Sequence, residues 1–298
     1  AISNGMLGAQ IGTGMTDSQG NFTIPMGSYS GPVMLRMSGG TYMDEATGIS
    51  MPMQPGDIMT SMVPQVIAGG LVGGVQITPI TSMAQAMAQG MGGGMTPANI
   101  DAANAAMGNY FSISDILHTH QMNPLTPGAA AGATPDMRNY GIMLAAMSQY
   151  AQTIGMPFSS GMVTAMMDDA ADGVMDGMMG NTQIMMGGRG GMMRNDPLSA
   201  NAGTSGLASA MTAFMGSAMN RSGLTIADMQ TLMNNMGMSG GPIQGGASGG
   251  PIPGGMGPGM NGMMTGSAVK GPVSGATVTA FAISNGMLGA QIGTGMTD

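Results

Sequence analysis

Two hydrophobic patterns share the chain, and the first is the alternation expected of β-strands. Apolar and polar residues alternate over residues 21–24 and again over 33–37, as they do in a strand with one buried face. Residues 17–20 read Asp-Ser-Gln-Gly, a sequence suited to a tight turn. Towards the C-terminus, residues 269–283 contain short β-favouring stretches interrupted by glycine and proline. These segments together predict a β domain.

The second pattern, with apolar residues three and four positions apart, is typical of amphipathic helices. It is clearest over residues 137–154. Thr96-Pro97 and Thr134-Pro135 each place an N-capping residue before a proline at the first helical position. Further helices are predicted over residues 80–87, 163–178, 207–218 and 226–236. We therefore predict a helical bundle.

The two patterns divide the chain into five segments. Residues 1–60 and 265–298 are predicted to hold the two parts of a β domain, and residues 79–237 the helical domain. Residues 61–78 are predicted to form a connector or a buried strand between them. Residues 238–264 are rich in Gly and Pro and show no helical or strand period. This composition predicts a linker, or a segment that lies extended along a neighbour.

The two ends of the chain carry the same sequence. Residues 1–17 and 282–298 both read AISNGMLGAQIGTGMTD, so position 282 corresponds to position 1 of a repeating unit. Residues 265–298 then belong to the β domain of the next repeat. Either a covalent tandem array, or separate subunits that donate the end segment to a neighbour's sheet, would complete that domain. Both contacts run head to tail without closing; a third alternative is an overlap with no structural role.

Within the β segments, GPVSGATVTAF and TDSQGNFTIPMGSYSGPVMLRMSGG resemble the carboxypeptidase-regulatory-like, or transthyretin-like, β-sandwich of bacterial cell-surface proteins. The resemblance covers residues 265–298 together with 18–60, and such sandwiches are structural modules in many contexts. Met34, Met37 and Met43 stand where that family usually has Thr or Val. The expected fold class is α+β, with an Ig/transthyretin-like β-sandwich and an all-α helical bundle domain in a head-to-tail repeat.

Composition removes several classes of function. The chain has 298 residues, a net charge of −8 and 7% charged residues, and Lys270 is its single lysine. Without a basic patch, no nucleic-acid partner is expected. The absence of Cys excludes disulfides and thiolate metal sites. No membrane span is expected, because the most apolar run, residues 62–77, is short and contains Pro and several Gly.

One candidate metal site consists of His118, His120 and Met122. These side chains would point to one side of an extended segment, and imidazole and thioether groups suit copper. The alternative is a solvated or packed loop. The Met-rich stretches at 185–186 and 192–193 offer further thioethers for Cu(I), or serve as flexible packing residues.

A second candidate site consists of Asp168, Asp172 and Asp176. On the helix predicted over residues 163–178, a spacing of four places them along one face, beside Asp169. Like charges at this spacing repel one another, and bound calcium would relieve the repulsion. The alternative is a solvated acidic face.

No sequence motif indicates catalysis. The nucleophile elbow, the phosphate-binding loop, the zinc-protease motif and the dinucleotide-binding fingerprint are all missing from the sequence, so we expect no enzyme activity. The leading hypothesis is a structural subunit or tandem repeat unit of an extracellular bacterial filament or surface array, whose partners are neighbouring copies of itself. The alternative hypothesis, from a different class, is a Met- and His-rich surface protein that binds copper.

Overall fold

The computed structural model describes residues 10–186, 196–198, 206–238, 243, 262–284 and 287–288. The described strands are β1 (Gln10–Met15), β2 (Asn21–Gly27), β3 (Gly31–Ser38), β4 (Thr41–Met43), β5 (Ser50–Pro52), β6 (Ile58–Val66), β7 (Leu71–Ile77), β8 (Met178–Met179), β9 (Thr182–Gln183), β10 (Met185–Met186), β11 (Asp196–Pro197), β12 (Gly262–Ala268), β13 (Val273–Ser274), β14 (Thr277–Ser284) and β15 (Met287–Leu288). The described α-helices are α1 (Pro79–Gly90), α2 (Pro97–Tyr110), α3 (Pro135–Thr153), α4 (Ser160–Ala170), α5 (Leu207–Met215) and α6 (Gln230–Met238). This content confirms the predicted α+β class.

The first large sheet has the strand order β1-β14-β3-β6, and all of its pairs are antiparallel. β14 comes from the C-terminal part of the chain, yet it lies between two strands from the N-terminal part. Its residues 277–281 pair with β1 on one edge and with β3 on the other. β15 extends this sheet by pairing with the end of β14.

The second large sheet has the order β2-β12-β7, and its central strand again comes from the C-terminal part. β12 runs antiparallel to β2 and parallel to β7. The backbones of β12 and β7 approach each other closely at Gly266, where a Cβ atom would stand 1.9 Å from the carbonyl oxygen of Val75. Residues 262–284, which we call the C-terminal segment, thus supply an interior strand of both sheets within one molecule.

The two large sheets enclose a common core. Alternate residues of β2 are buried, as the sequence pattern predicted. The core draws on both sheets and on both ends of the chain: Phe22, Ile24, Val33, Leu35, Met37, Val63, Val75, Met264, Val278 and Ala280. Because apolar burial is the main favourable term in folding, the C-terminal segment contributes directly to the stability of this domain.

The helices cover the opposite face of the first sheet. Phe281, Met34 and Met62 are neighbours across β14, β3 and β6, and all three belong to the helical core. α1 also contacts β6 through polar groups, since the Thr60 backbone N–H donates to Ser82 Oγ at 2.8 Å. The first sheet is therefore covered on both sides, and the β domain and the helices share an interface.

Local sequence signals placed the starts of α2 and α3 correctly. Thr96 and Thr134 accept hydrogen bonds at the N-termini of α2 and α3, with proline in the first turn of each. Thr225 and Asp228 form a reciprocal capping box ahead of α6. Among the described residues, no helix combines the length and the apolar character needed to cross a membrane.

The structure differs from the predicted boundaries at three places. Residues 61–78 are not an inter-domain connector: they contain most of β6 and all of β7, and the sheet pairing continues to Ile77. The predicted linker ends earlier than expected, because β12 begins at Gly262. The helix predicted over residues 163–178 ends at Ala170.

Candidate functional site around Lys270

The single lysine of the chain is buried. Lys270 is 1% exposed and lies two residues after the end of β12. An isolated bridge between Val269 and Pro272 closes a tight turn around it. Gly271 has φ +59°, and a Cβ there would lie 2.0 Å from the carbonyl oxygen of Met43, so only glycine fits. This turn fixes Lys270 beside the end of β4.

The ammonium group of Lys270 is held by two serine hydroxyls. Its Nζ donates to Ser148 Oγ at 2.9 Å and to Ser159 Oγ at 2.6 Å. Ser148 Oγ in turn donates to Glu45 Oε2 at 2.6 Å, and Ser159 Oγ donates to the Asp44 carboxylate. Each serine therefore links the cation to one carboxylate through a charge-assisted hydrogen bond.

An aromatic ring completes the surroundings of the ammonium group. Lys270 Nζ lies 4.9 Å from the centre of the Tyr42 ring, a favourable cation–π distance. The Tyr42 hydroxyl lies 3.2 Å from Ser159 Oγ and accepts from the Ser160 backbone N–H. Since the Ser159 proton is used toward Asp44, the Tyr42 hydroxyl is the donor in its bond to Ser159.

Three separate parts of the chain meet here. Tyr42 lies in β4 and is followed by Asp44 and Glu45, Ser148 lies on α3, and Ser159 immediately precedes α4. Ser159 makes no capping hydrogen bond to that helix, because its hydroxyl is engaged with Lys270 and Asp44. We call the set Tyr42, Asp44, Glu45, Ser148 and Ser159 the lysine socket.

The socket holds more negative than positive charge. Lys270 faces two carboxyl groups, and Glu45 Oε2 lies 4.0 Å from its Nζ. Asp57 is also buried nearby: burial raises its pKa, and the charge of Lys270 opposes that rise. Removing the cation from such a site leaves buried carboxylates uncompensated, which costs about 3–5 kcal/mol in comparable cases.

The socket encloses the ammonium group of Lys270 in a buried site. Every residue of the socket and Lys270 itself are at most 4% exposed, and both serine hydroxyls are fully engaged. Asp44 also accepts hydrogen bonds from the N–H and the hydroxyl of Thr47. Sequence reasoning gave Lys270 no functional role, although a lone lysine among so few charged residues was the available signal.

The predicted copper ligands do not share a strand. Residues 116–118 form a turn, so His118 does not lie in the extended segment that the prediction assumed. His118 Nδ1 bonds Asp115 Oδ2 at 2.8 Å, whereas His120 Nδ1 lies 3.4 Å from the Gln76 side-chain amide. Met122 is buried in the helical core. Each of the three residues thus has a different partner.

The predicted calcium ligands do not share a helical face either, because Asp172 and Asp176 lie beyond the end of α4. Asp172 accepts from the backbone N–H groups of Val174 and Gly180, and Asp176 Oδ1 accepts from Met178. These carboxylates shape the loop that follows the helix. Asp168, the third predicted ligand, lies in the last turn of α4.

Among the described residues, no group of three or more His, Asp or Glu is placed to hold a metal ion. Of the Met-rich stretches, Met185 is exposed and lies in β10, and residues 192–193 lie outside the described residues. The structure thus adds no geometric support for copper or calcium in the part of the chain that it describes.

The buried carboxyl group of Asp169 is expected to make the stability of the folded protein depend on pH. Burial raises its pKa from 3.8 to about 7, although the backbone N–H groups of Gly177 and Asp176 bond its Oδ1. The folded protein therefore holds a proton that the unfolded chain releases, so stability falls as the pH rises from about 4 to 7. We expect Asp169→Asn to remove this slope, which reaches about 1.4 kcal/mol per pH unit. Urea unfolding of both proteins at several pH values measures it; parallel curves would contradict the assignment.

No protein-family model matches this chain, and no curated protein or solved structure matches it either. Its function therefore has to be inferred from its own residues. The two features that stand out are the repeated end sequence and the C-terminal segment, which carries Lys270 into the socket.

Proposed function

We propose that this chain is a structural subunit or tandem repeat unit of an extracellular bacterial filament or surface array, assembled head to tail through its β domain. The observation that carries the proposal is the position of the C-terminal segment. β12 is the central strand of one large sheet and β14 an interior strand of the other, and both contribute residues to the core between the sheets, so the β domain has no complete core without them. A neighbouring copy can supply the same strands.

The repeated sequence identifies where one unit meets the next. Along residues 277–281 of β14, one edge is taken by β1, in which Gln10 lies opposite Phe281. The sequence of β1 recurs at residues 291–296, which lie outside the described residues. The β14–β15 hairpin pairs Ile283 with Leu288.

The two copies of the sequence are therefore alternatives for one strand position. In the described molecule, the N-terminal copy fills it. In an array, residues 262–298 of one unit would run without interruption into residues 18–77 of the next, and each junction would contain the repeated sequence once. Such a contact does not close, so it propagates into a filament.

The proposal also covers the type of β domain in each repeat. Two sheets around a common core, built from GPVSGATVTAF and the segment after residue 17, support a transthyretin-like sandwich as the repeating β module. The helices on its outer face then form the second module of each repeat. Low charge and a chain free of cysteine suit a surface or extracellular setting, in which neighbouring copies are the partners.

Native material tests this proposal. We expect electron microscopy to show filaments or arrays, and the mass under native conditions to be many times 29.6 kDa. Under strongly denaturing conditions, a retained high mass indicates a covalent array, and a mass near that of one chain indicates separate subunits. A native monomer with free ends would rule out both forms of the proposal.

A further inference from the structure

The lysine socket is complete without the C-terminal segment. All five of its residues lie between positions 42 and 159, on β4, the loop after it, α3 and the residue before α4. Only the cation comes from the C-terminal segment, through Lys270. The socket is thus a preformed receptor built by one part of the repeat for a group carried by another.

We propose that the lysine socket is a binding site for the primary ammonium group of a neighbouring copy of this chain, and that Lys270 thereby selects the segment and the register that complete the β domain. This inference rests on the function proposed above, because it assigns the recognition element of that junction.

Strand pairing alone does not select a register. Backbone hydrogen bonds are the same for any sequence, and β12 consists of small residues, threonine and methionine. A slip by one residue would turn the strand's side chains to the opposite faces and bring Val269 or Gly271 to the socket. Neither carries a charge, so Asp44 and Glu45 would be left buried without a cation. The energetic cost of that state disfavours the wrong register.

No other segment of the chain can offer the same group. Lys270 is the only lysine, and the remaining basic side chains are arginines and two histidines. An ammonium group is compact and has three donors that can be turned towards two serine oxygens, whereas a guanidinium group is planar and larger. The socket therefore discriminates by shape as well as by charge, which is the pattern expected of a specificity site.

Small amines offer a direct test of ammonium binding. In the full-length Lys270→Ala protein, we expect Tm to fall by roughly 10 °C, because buried carboxylates lose their partner. n-Propylammonium replaces the missing atoms and should raise that Tm, with no comparable effect on the parent protein. Tetramethylammonium has the same charge and no N–H donor, so it serves as the matched control. Equal effects of the two cations would overturn the inference.

Selection is tested by mixing chains. When labelled parent and Lys270→Met chains compete for incorporation into parent polymers, we expect a preference for the parent of at least about tenfold. A variant that also carries Asp44→Asn and Glu45→Gln removes the uncompensated charges, so it should fold and assemble. In a mixture with the parent it should sort into separate polymers. Random co-assembly would overturn the inference.

Two further results separate this inference from the proposed function. If the parent chain forms no polymer while n-propylammonium still rescues Lys270→Ala, the head-to-tail proposal fails and so does selection between copies, leaving only an internal ammonium site. An intact mass lower than that of the sequence by one water molecule would also overturn the inference. Lys270 would then be joined to a carboxyl group as an amide, instead of being held as a cation.

Discussion

Replacing Gly266 by alanine is expected to destabilise the protein by about 3 kcal/mol, at the upper end of the usual cost of overpacking. Gly266 lies in β12 between the two other strands of its sheet. A Cβ there would stand 1.9 Å from the Val75 carbonyl oxygen and 2.7 Å from the Phe22 ring. Backbone atoms of a paired strand cannot move aside without a large energetic cost. The substitution therefore disturbs the packing of the C-terminal segment against β7. Urea unfolding measures the effect.

Gly73→Ala is the matched control for that substitution. Gly73 lies in β7, next to the same strand, but the nearest atom to its added Cβ would be Thr265 Oγ1 at 3.6 Å. This is an ordinary van der Waals contact, and we expect a change within about 1 kcal/mol. If both variants unfold at the same urea concentration, β12 does not occupy the position described here.

Deleting both copies of the repeated sequence is expected to abolish cooperative unfolding of the β domain, whereas deleting either copy is expected to have a small effect. Without residues 1–17, the second copy supplies the strand beside β14, and Thr297 repeats Thr16, whose backbone and hydroxyl bond Ala276. The second copy is removed as residues 285–298, because residues 282–284 belong to β14, and the first copy then remains in place as described. Without both, the edge of β14 along residues 277–281 loses its partner.

Circular dichroism and urea unfolding of the three deletion variants measure this redundancy. We expect each single deletion variant to unfold at nearly the same urea concentration as the parent. The double deletion variant should show no cooperative unfolding transition of the β domain. If removal of residues 1–17 alone is as damaging as the double deletion, the second copy cannot take the place of β1. The two copies would then not be equivalent, and the repeat would need another explanation.

Local patterns in the sequence were sufficient to predict the elements that are polar on one face. The alternation of β2 and the caps of α2 and α3 are visible within a few residues of sequence. β6 was missed as a continuous strand, because the helices and the second sheet bury it on both faces and remove the alternation. α4 was predicted too long, since the apolar residues Val174 and Met178 continue a helical spacing beyond its end. Gly173, with φ +84°, lies in the turn that follows the helix.

Methionine positions that the resemblance left unexplained have a physical reason in the fold. Met37 pairs with Met59 in the core between the sheets, and Met34 pairs with Met62 on the face that the helices cover. A flexible thioether side chain fills irregular gaps between a twisted sheet and helices. Met43, by contrast, is 38% exposed. The resemblance to a β-sandwich accounts for the burial of the sheet face that packs against the second sheet. The other face is buried by the helical domain.

Local sequence patterns could not predict the lysine socket. Lys270 meets Ser148 and Ser159 across separations of 122 and 111 residues, and Ser148 meets Glu45 across 103. No spacing rule connects such residues, because only the packing of three parts of the chain brings them together. The sequence showed a single lysine, but its partners became visible only in the fold.

A two-repeat protein tests the central claim most directly. Residues 1–281 would be followed by residues 1–298, with Thr277→Cys in the first repeat and Ser38→Cys in the second. These positions pair directly across β14 and β3, and the sequence has no other cysteine. After oxidation, we expect a disulfide between the two repeats. If this pair fails to form, while cysteines placed at both positions of the first repeat do form a disulfide, each repeat closes on itself and the head-to-tail proposal is wrong.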